Sequence, residues 1–182
     1  MDGSFIAKSN IPAVSPGENF DCALGLDPAI RITYHPVSRK SAQTGFVSKT
    51  SVNSYSQRIF VHNTKSITIK DLRIVDQVPV SADESITVKL ITPALPSVPS
   101  RIEGLAKEEK KADRLRPVNV SPGIGAEWGD GMEDTTSVEG RTVVVGQDGK
   151  LSWVCEIPPQ GKANLLLQWE VTSPASTHVH NL

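Results

Sequence analysis

Apolar and polar residues alternate with a period of two along much of the chain, which is the pattern of half-buried β-strands. Residues 20–26 and 30–37 are the first two alternating segments, separated by the Asp27-Pro28 break. Pro36 limits further pairing of the second segment. Residues 39–45 are polar without an apolar face, and we predict that they form a connection.

The next apolar residues share a face less cleanly than those of the first strands. From Val52 through Tyr55 to Ile59 and Val61 the spacing changes parity, so we predict a β-bulge before Arg58. A strand with such a bulge leads into the most strongly patterned part of the chain.

That part predicts a three-stranded antiparallel meander. Asn63 to Ser66 has the composition of a hairpin turn, and residues 67–78 return with Leu72 and Ile74 on one face before Pro79 ends the strand. Residues 86–90 alternate again and supply the third strand.

Two further strands are predicted near the end of the sequence, after a short alternating segment at residues 141–145. Turn residues Gly146 to Gly149 precede one strand, Pro158 to Gly161 separate the two, and Pro174 closes the second. The residues expected to face the core are Leu151, Trp153, Cys155, Ile157, Leu165, Leu167, Trp169 and Val171.

These elements predict an all-β protein with the architecture of an antiparallel β-sandwich, immunoglobulin- or fibronectin-like. Strands joined by turns, with no helices between them, are typical of that class. We interpret residues 1–182 as a single sandwich domain, with two lobes as the alternative. Residues 93–140 are rich in proline, charge and glycine, and we predict a long irregular insertion there, between the central meander and the last hairpin.

Composition excludes several classes of protein. The 182 residues are 38% hydrophobic and 21% charged, which is ordinary for a globular chain. A formal net charge of −1 supplies no field that would gather phosphates, so nucleic-acid binding is not expected. Neither a secretory signal nor a membrane-spanning segment is recognisable, and we expect a cytoplasmic protein without a membrane partner.

Cysteine and histidine offer little recognisable chemistry. Cys22 and Cys155 have no metal-binding spacing and are interpreted as buried thiols, with a disulfide between them as the alternative. His35 and His62 are isolated in strand context. His178-Val-His180 lacks further ligands and is interpreted as part of a solvated tail, so no metal or cofactor is predicted.

The insertion holds the residues most suited to contact a ligand. Trp128 lies in a glycine-rich acidic stretch, where its indole either folds back as a plug over the sandwich, the interpretation we favour, or points outward as a contact residue. Asp130 and Glu133 follow it and are the accompanying candidates. The segment Gly123 to Gly129 lacks the features of a phosphate-binding loop and is interpreted as an ordinary loop with glycines at its turns.

Several segments together resemble a known family. They are Tyr34 to Lys40, His62 to Ser66, Asp76 to Ser81, and the run from Trp153 to Leu165. On these residues the chain resembles the C-terminal conserved domain of the mucoidy-inhibitor-A-like proteins, especially their fungal members. Members usually carry an N-terminal region with coiled-coil segments, so this chain resembles a free-standing C-terminal part. The resemblance implies a β-rich domain of unassigned activity, without catalytic residues to carry across.

Three functions follow as hypotheses. The first is a non-enzymatic interaction domain that contacts another protein or a second copy of itself through the insertion or a sheet edge. The second is a carbohydrate-binding module that uses Trp128 and the neighbouring acids. The third is a hydrolase with an unrecognised site around Asp71, Arg73 and Asp76.

Overall fold

The computed structural model describes residues 8, 13–18, 25–45, 49–96, 117–129 and 148–176. These residues contain nine β-strands and no helix. The strands are β1 (Ile30–Tyr34), β2 (Ser38–Thr44), β3 (Thr50–Asn63), β4 (Ile69–Gln77), β5 (Thr87–Thr92), β6 (Val118–Ser121), β7 (Ile124–Trp128), β8 (Lys150–Ile157) and β9 (Lys162–Pro174).

The strands form two antiparallel sheets. The five-stranded sheet has the order β1-β3-β9-β5, and β2 pairs with the other half of β3. The four-stranded sheet has the order β4-β8-β7-β6. The predicted all-β class with two antiparallel sheets is confirmed, whereas the immunoglobulin- or fibronectin-like connectivity stays a prediction.

The two sheets enclose one hydrophobic core. Trp153 and Leu151 of β8 and Leu167 of β9 are fully or almost fully buried in it. The core-facing positions predicted for β8 and β9 are confirmed. The core residues are Tyr55, Ile59, Val61, Ile74, Val78, Ala126, Trp128, Leu151, Trp153, Cys155, Ile157, Ala163, Leu165, Leu167, Trp169 and Val171.

The centre of the five-stranded sheet is the long ladder between β3 and β9. Its register is continuous from Thr50 opposite Pro174 to His62 opposite Lys162. The bulge predicted before Arg58 is therefore wrong, because odd-numbered residues of β3 face the core throughout and Val52 lies on the opposite face.

The predicted meander and the last hairpin are also wrong, since strands that follow one another in sequence lie in different sheets. β3 belongs to the five-stranded sheet and β4 to the other, while β5 returns to pair with β9. In the same way, the chain leaves the four-stranded sheet after β8 and enters the five-stranded sheet as β9. Both connections are crossings between layers at one end of the sandwich.

The side chain of Asn63 joins these two crossings. The two hydrogens of its buried Nδ2 are shared among three carbonyl oxygens, those of Ile67 at 2.9 Å, Ile157 at 3.2 Å and Pro158 at 2.9 Å. Its Oδ1 accepts the backbone N–H of Lys65 at 2.9 Å. The sequence pattern places Asn63 at the start of a hairpin turn, whereas its side chain satisfies buried and partly buried backbone groups where the chain changes sheets.

Two polar segments form strands that the sequence did not predict. Residues 39–45 were expected to be a connection, but β2 pairs along the first half of β3 with every residue exposed. Within the insertion predicted over residues 93–140, β6 and β7 form a hairpin around Pro122-Gly123. The stretch Gly123 to Gly129 is therefore mainly strand, and Gly123 has a φ of +73°, a conformation open to glycine.

Other predicted elements lie partly or wholly outside the described residues. Of the strand predicted over residues 20–26, only residues 25 and 26 are described; they are not in a strand, and Leu26 is 85% exposed. The segment at residues 141–145 lies outside the described part of the chain. The division into one domain stays a prediction.

Candidate functional site

Strand β1 lies at an edge of the five-stranded sheet, and no strand of the described residues pairs with its outer side. The N–H of His35 donates to the carbonyl of Arg58 at 2.9 Å, which sets the hydrogen-bonding phase of the β1–β3 pair. Because the phase alternates in an antiparallel ladder, the backbone groups of Ile32 and Tyr34 point away from β3. They form a hydrogen-bonding template at the edge of the sheet.

The core-facing side of β1 is incompletely covered. Ile32 lies opposite Val61 and Tyr34 lies opposite Ile59, both of which are fully buried. Ile32 and Tyr34 are nevertheless 44% and 47% exposed. Val37, just beyond the strand, is also exposed, so an apolar patch continues the core to the edge of the molecule.

The carboxyl of Asp76 lies near this patch. Its Oδ1 accepts the N–H of Gln77 at 2.8 Å, whereas its buried Oδ2 has no partner among the described residues. Burial raises the pKa of Asp76, against the opposing effect of that hydrogen bond. The pKa of Tyr34 is raised first by burial and then by the negative charge of Asp76, so β4 approaches the core-facing side of β1.

The opposite side of the same sheet carries a cluster of basic side chains. Arg31 of β1 lies opposite His62 of β3, and His62 lies opposite Lys162 of β9. The Nζ of Lys162 is 5.9 Å from the ring centroid of Phe60. Arg58 lies on the same face of β3, and we call Arg31, Arg58, His62 and Lys162 the cationic face. None of the four forms a salt bridge within the described part of the chain.

Another basic side chain of this sheet, that of Arg39, contrasts with that cluster because it has partners within the described residues. Arg39 of β2 donates through Nη2 to Asn53 Oδ1 at 2.9 Å, and its guanidinium carbon is 5.7 Å from the centroid of Tyr55. Tyr55 in turn stacks on Trp169 at a centroid distance of 5.3 Å. This row closes the core at the end of the sheet where β2 lies.

The outer face of the four-stranded sheet contains two adjacent shallow grooves, of about 300 Å³ and about 240 Å³. Gly123 and Val154 line both, and Gly125 leaves the floor of the larger groove without a side chain. The larger groove offers the side chain of Asn119 as its polar group. Its lining does not indicate a particular reaction.

The structure buries Trp128. The residue is 6% exposed and belongs to the core, and its Nε1–H donates to the carbonyl of Pro96 at 2.8 Å. A side chain buried in this way does not present its ring to a sugar, so the structure supports the interior position and not the contact role. Asp130 and Glu133 lie outside the described residues.

The three residues of the hydrolase hypothesis are not brought together. Arg73 forms an ion pair at 2.6 Å with Glu127 on the outer face of the four-stranded sheet. Asp71 is exposed with a φ of +53°, beside the irregular start of the β4–β8 ladder. Asp76 lies on the other face, toward the core, where Ile74 is buried.

The remaining chemical candidates are inert or outside the described ranges. Cys155 is a free, fully buried thiol, and burial raises its pKa to about 11. His35 is exposed and His62 is partly buried on the cationic face. Cys22, His178 and His180 lie outside the described residues. The described ranges hold no group of three His, Cys, Asp or Glu side chains arranged to bind a metal.

The sequence analysis anticipated contact through a sheet edge but did not single out the edge of β1. The alternation of apolar and polar residues in β1 predicts a strand. It does not tell whether an isoleucine on the core-facing side is buried or partly exposed. The described residues contain no helix of the length and apolarity needed to span a membrane.

The described residues define an all-β protein of two sheets, in which β1 forms an edge that no other described strand pairs with on its outer side. The chain matches the family described as domain of unknown function DUF4139 over residues 4–175, and it belongs to that family. It is 34% identical over 93 residues to Protein F37C4.5 of Caenorhabditis elegans. The match covers 51% of this chain and only 16% of the nematode protein. No solved structure matches the chain.

Proposed function

We propose that this chain is a non-enzymatic protein-interaction domain, and that the edge of β1 receives an extended segment of a partner protein. The edge offers unpaired backbone groups together with two partly exposed apolar side chains, Ile32 and Tyr34. Strand addition of this kind combines main-chain hydrogen bonds with side-chain pockets.

The observation that carries the proposal is that β1, unlike the other edge strands of the described residues, combines an unshifted register with two partly exposed apolar side chains on its core-facing side. Exposed edges invite pairing with other chains, and proteins guard them with bulges, charge or short length. β2 is exposed along its whole length, and Ala42 is its one apolar residue. The β1–β3 register has no shift. The guarded edges have register shifts between Ile69 and Leu72 in β4, between Leu90 and Thr92 in β5, and between Asn119 and Ser121 in β6.

The apolar side chains at this edge make the interaction favourable in energy. Burying a large apolar side chain completely contributes about 2 kcal/mol, and each of the two residues has close to half of its surface left to bury. Together they supply about 2 kcal/mol, to which new main-chain hydrogen bonds add. A binding free energy of this size corresponds to weak binding, and a high affinity would require further contact surface.

Paired substitutions at Ile32 test the proposal. Ile32→Pro removes an N–H that points away from β3, so β1 keeps its hydrogen bonds to β3 while the template is interrupted. Ile32→Ala removes the side chain and keeps the N–H. Partners captured by the wild-type chain from an extract of the source organism and identified by mass spectrometry are expected to be lost with Ile32→Pro and weakened with Ile32→Ala.

The outcome against the proposal is equally specific. If both variants are folded by circular dichroism and retain the same partners as the wild-type chain, the edge of β1 is not the docking site. Sedimentation velocity measures whether the chain self-associates. If it does, and if Ile32→Pro abolishes the self-association, then the segment bound at β1 comes from a second copy of the chain and not from a different protein.

We extend the proposal to origin and location. The segments from Tyr34 to Lys40 and from Trp153 to Leu165 support membership of the mucoidy-inhibitor-A-like group within the family, in a fungal protein acting in the cytoplasm. The carbohydrate alternative depended on Trp128, and the hydrolase alternative on a cluster that does not form. No observation on the described residues favours either.

A further inference from the structure

We propose that the segment bound at β1 alternates apolar and acidic residues, with its acids directed to the cationic face. This inference rests on the proposed function, because it names the chemistry of the partner at the same edge. An added strand places alternate side chains on opposite sides of the sheet. One set would meet Ile32 and Tyr34, and the other set would lie beside Arg31.

Within the described residues, no acidic side chain neutralises the cationic face. β1 and the adjoining parts of β3 and β9, residues 58–63 and 162–166, contain no aspartate or glutamate. Asp27, which precedes β1 in the chain, is already paired with Lys65 at 2.6 Å. Glu170, further along β9, accepts a hydrogen bond from Ser54.

Arg31, His62 and Lys162 form one row that crosses three neighbouring strands, with the imidazole of His62 between the two charged side chains. An acidic partner strand beside Arg31 would neutralise this row and extend it by one position. Arg39, in contrast, already has Asn53 and Tyr55 as partners and needs no external acid.

The positions of the basic side chains also predict how much each contributes to binding of the acidic segment. Neighbouring strands lie about 4.8 Å apart, so an added strand lies one spacing from Arg31, two from Arg58 and three from Lys162. Screening in physiological salt acts over about 8 Å. Arg31 should therefore contribute most to binding, Arg58 less and Lys162 least.

A lipid surface is the competing acidic partner, and the edge argues against it. Lipid headgroups cannot use the outward N–H and C=O groups of Ile32 and Tyr34, whereas a peptide strand pairs with them. The near-balanced net charge of the whole chain also gives no overall attraction to an anionic membrane.

Fluorescence anisotropy with two labelled peptides tests the inference. One probe is a peptide of about ten residues that alternates valine with glutamate, and the other carries lysine in place of every glutamate. We expect the glutamate peptide to bind the full chain at least about tenfold more tightly at low salt, and to lose that advantage at high salt.

Charge-reversal variants test which basic side chains contribute to the affinity for the glutamate peptide. Arg31→Glu is expected to weaken binding of the glutamate peptide about tenfold, Arg58→Glu about fourfold and Lys162→Glu about twofold. Lys70→Glu, an exposed reversal on β4 of the other sheet, is the matched control and should leave the affinity unchanged. Urea unfolding of each variant checks that the fold is retained.

The possible failures are distinguishable. Equal binding of both peptides, reduced by Ile32→Pro, would overturn the acidic partner and leave the edge proposal standing. Binding of the glutamate peptide that Ile32→Pro does not affect would overturn the edge proposal and this inference with it. Absence of binding to either peptide, or binding only to vesicles containing phosphatidylserine, would overturn the inference alone.

Discussion

Replacing Asn63 by alanine should destabilise the protein far more than the loss of one polar side chain usually does. The substitution removes the amide that joins the β3–β4 crossing to the β8–β9 crossing. It leaves the carbonyl oxygens of Ile67, Ile157 and Pro158, and the N–H of Lys65, without their present partner.

The magnitude follows from where those groups lie. The bond to Ile157 is buried, so its loss costs the desolvation of an unpaired carbonyl, about 2 kcal/mol. The other three bonds are only partly buried, so water can replace the amide and each costs about 0.5–1 kcal/mol. The sum is a loss of about 4 kcal/mol in the free energy of unfolding.

Urea unfolding followed by tryptophan fluorescence measures this loss, because Trp153 and Trp169 are buried in the core. With an m-value of about 2 kcal/mol/M, the midpoint should fall by about 2 M. Asn53→Ala is the matched control, since Asn53 is also buried but its amide serves mainly Arg39 at the rim. That control should lose about 1 kcal/mol.

The comparison of Asn63→Ala with Asn53→Ala tests whether the Asn63 amide stabilises both crossings. A loss for Asn63→Ala within about 0.5 kcal/mol of that for Asn53→Ala would refute the reasoning that one amide joins both crossings. A fall in the m-value would instead indicate a change in the compactness of one state.

Three further predictions concern single groups. Asp76→Asn should raise the free energy of unfolding at neutral pH, because the raised pKa of Asp76 means that the carboxylate opposes folding. The wild-type protein gains stability as the pH falls through that raised pKa, so the benefit of Asp76→Asn should vanish below pH 3.8; a benefit that persists there would contradict this cause. With the other cysteine replaced by serine, Cys155 should react with a thiol reagent at pH 8 only as fast as the protein unfolds, whereas labelling within seconds would show that the thiol is accessible. Gly149→Ala should cost about 3 kcal/mol in thermal or urea unfolding, because a Cβ at its φ of +74° would overlap the Val78 carbonyl. Gly17→Ala, at φ +84° in open space, should cost only about 1 kcal/mol, and equal losses would rule out the overlap.

Local pattern predicted which face of a strand is buried but not which strand it pairs with. The alternation in β4, β8 and β9 correctly placed Ile74, Trp153 and Leu167 in the core. The assignment of Asn63 to a hairpin turn failed because a polar turn can lead to a neighbouring strand or to the facing sheet. The choice depends on hydrogen bonds that the Asn63 amide donates to the carbonyl oxygens of Ile157 and Pro158, which lie far away in sequence.

Strands without an apolar face were predicted least well. β2 has no alternation because both of its faces are exposed, and it is specified by its partner β3. The β6–β7 hairpin was missed because Gly123 and Gly125 lower strand propensity while allowing a tight turn. The cationic face could not be predicted either, since the alignment of Arg31, His62 and Lys162 arises from the register of three strands distant in sequence.

The ladder between β3 and β9 has a consequence for biosynthesis. Residues 50–63 cannot complete their central pairing until residues 162–174 have left the ribosome. During that interval β3 has one side without its principal neighbour, which is a state that favours pairing with other nascent chains. Pairing over such a sequence distance also slows folding. A ribosome-bound chain stopped before Lys162 should therefore remain dependent on chaperones, whereas release of β9 should allow the five-stranded sheet to close.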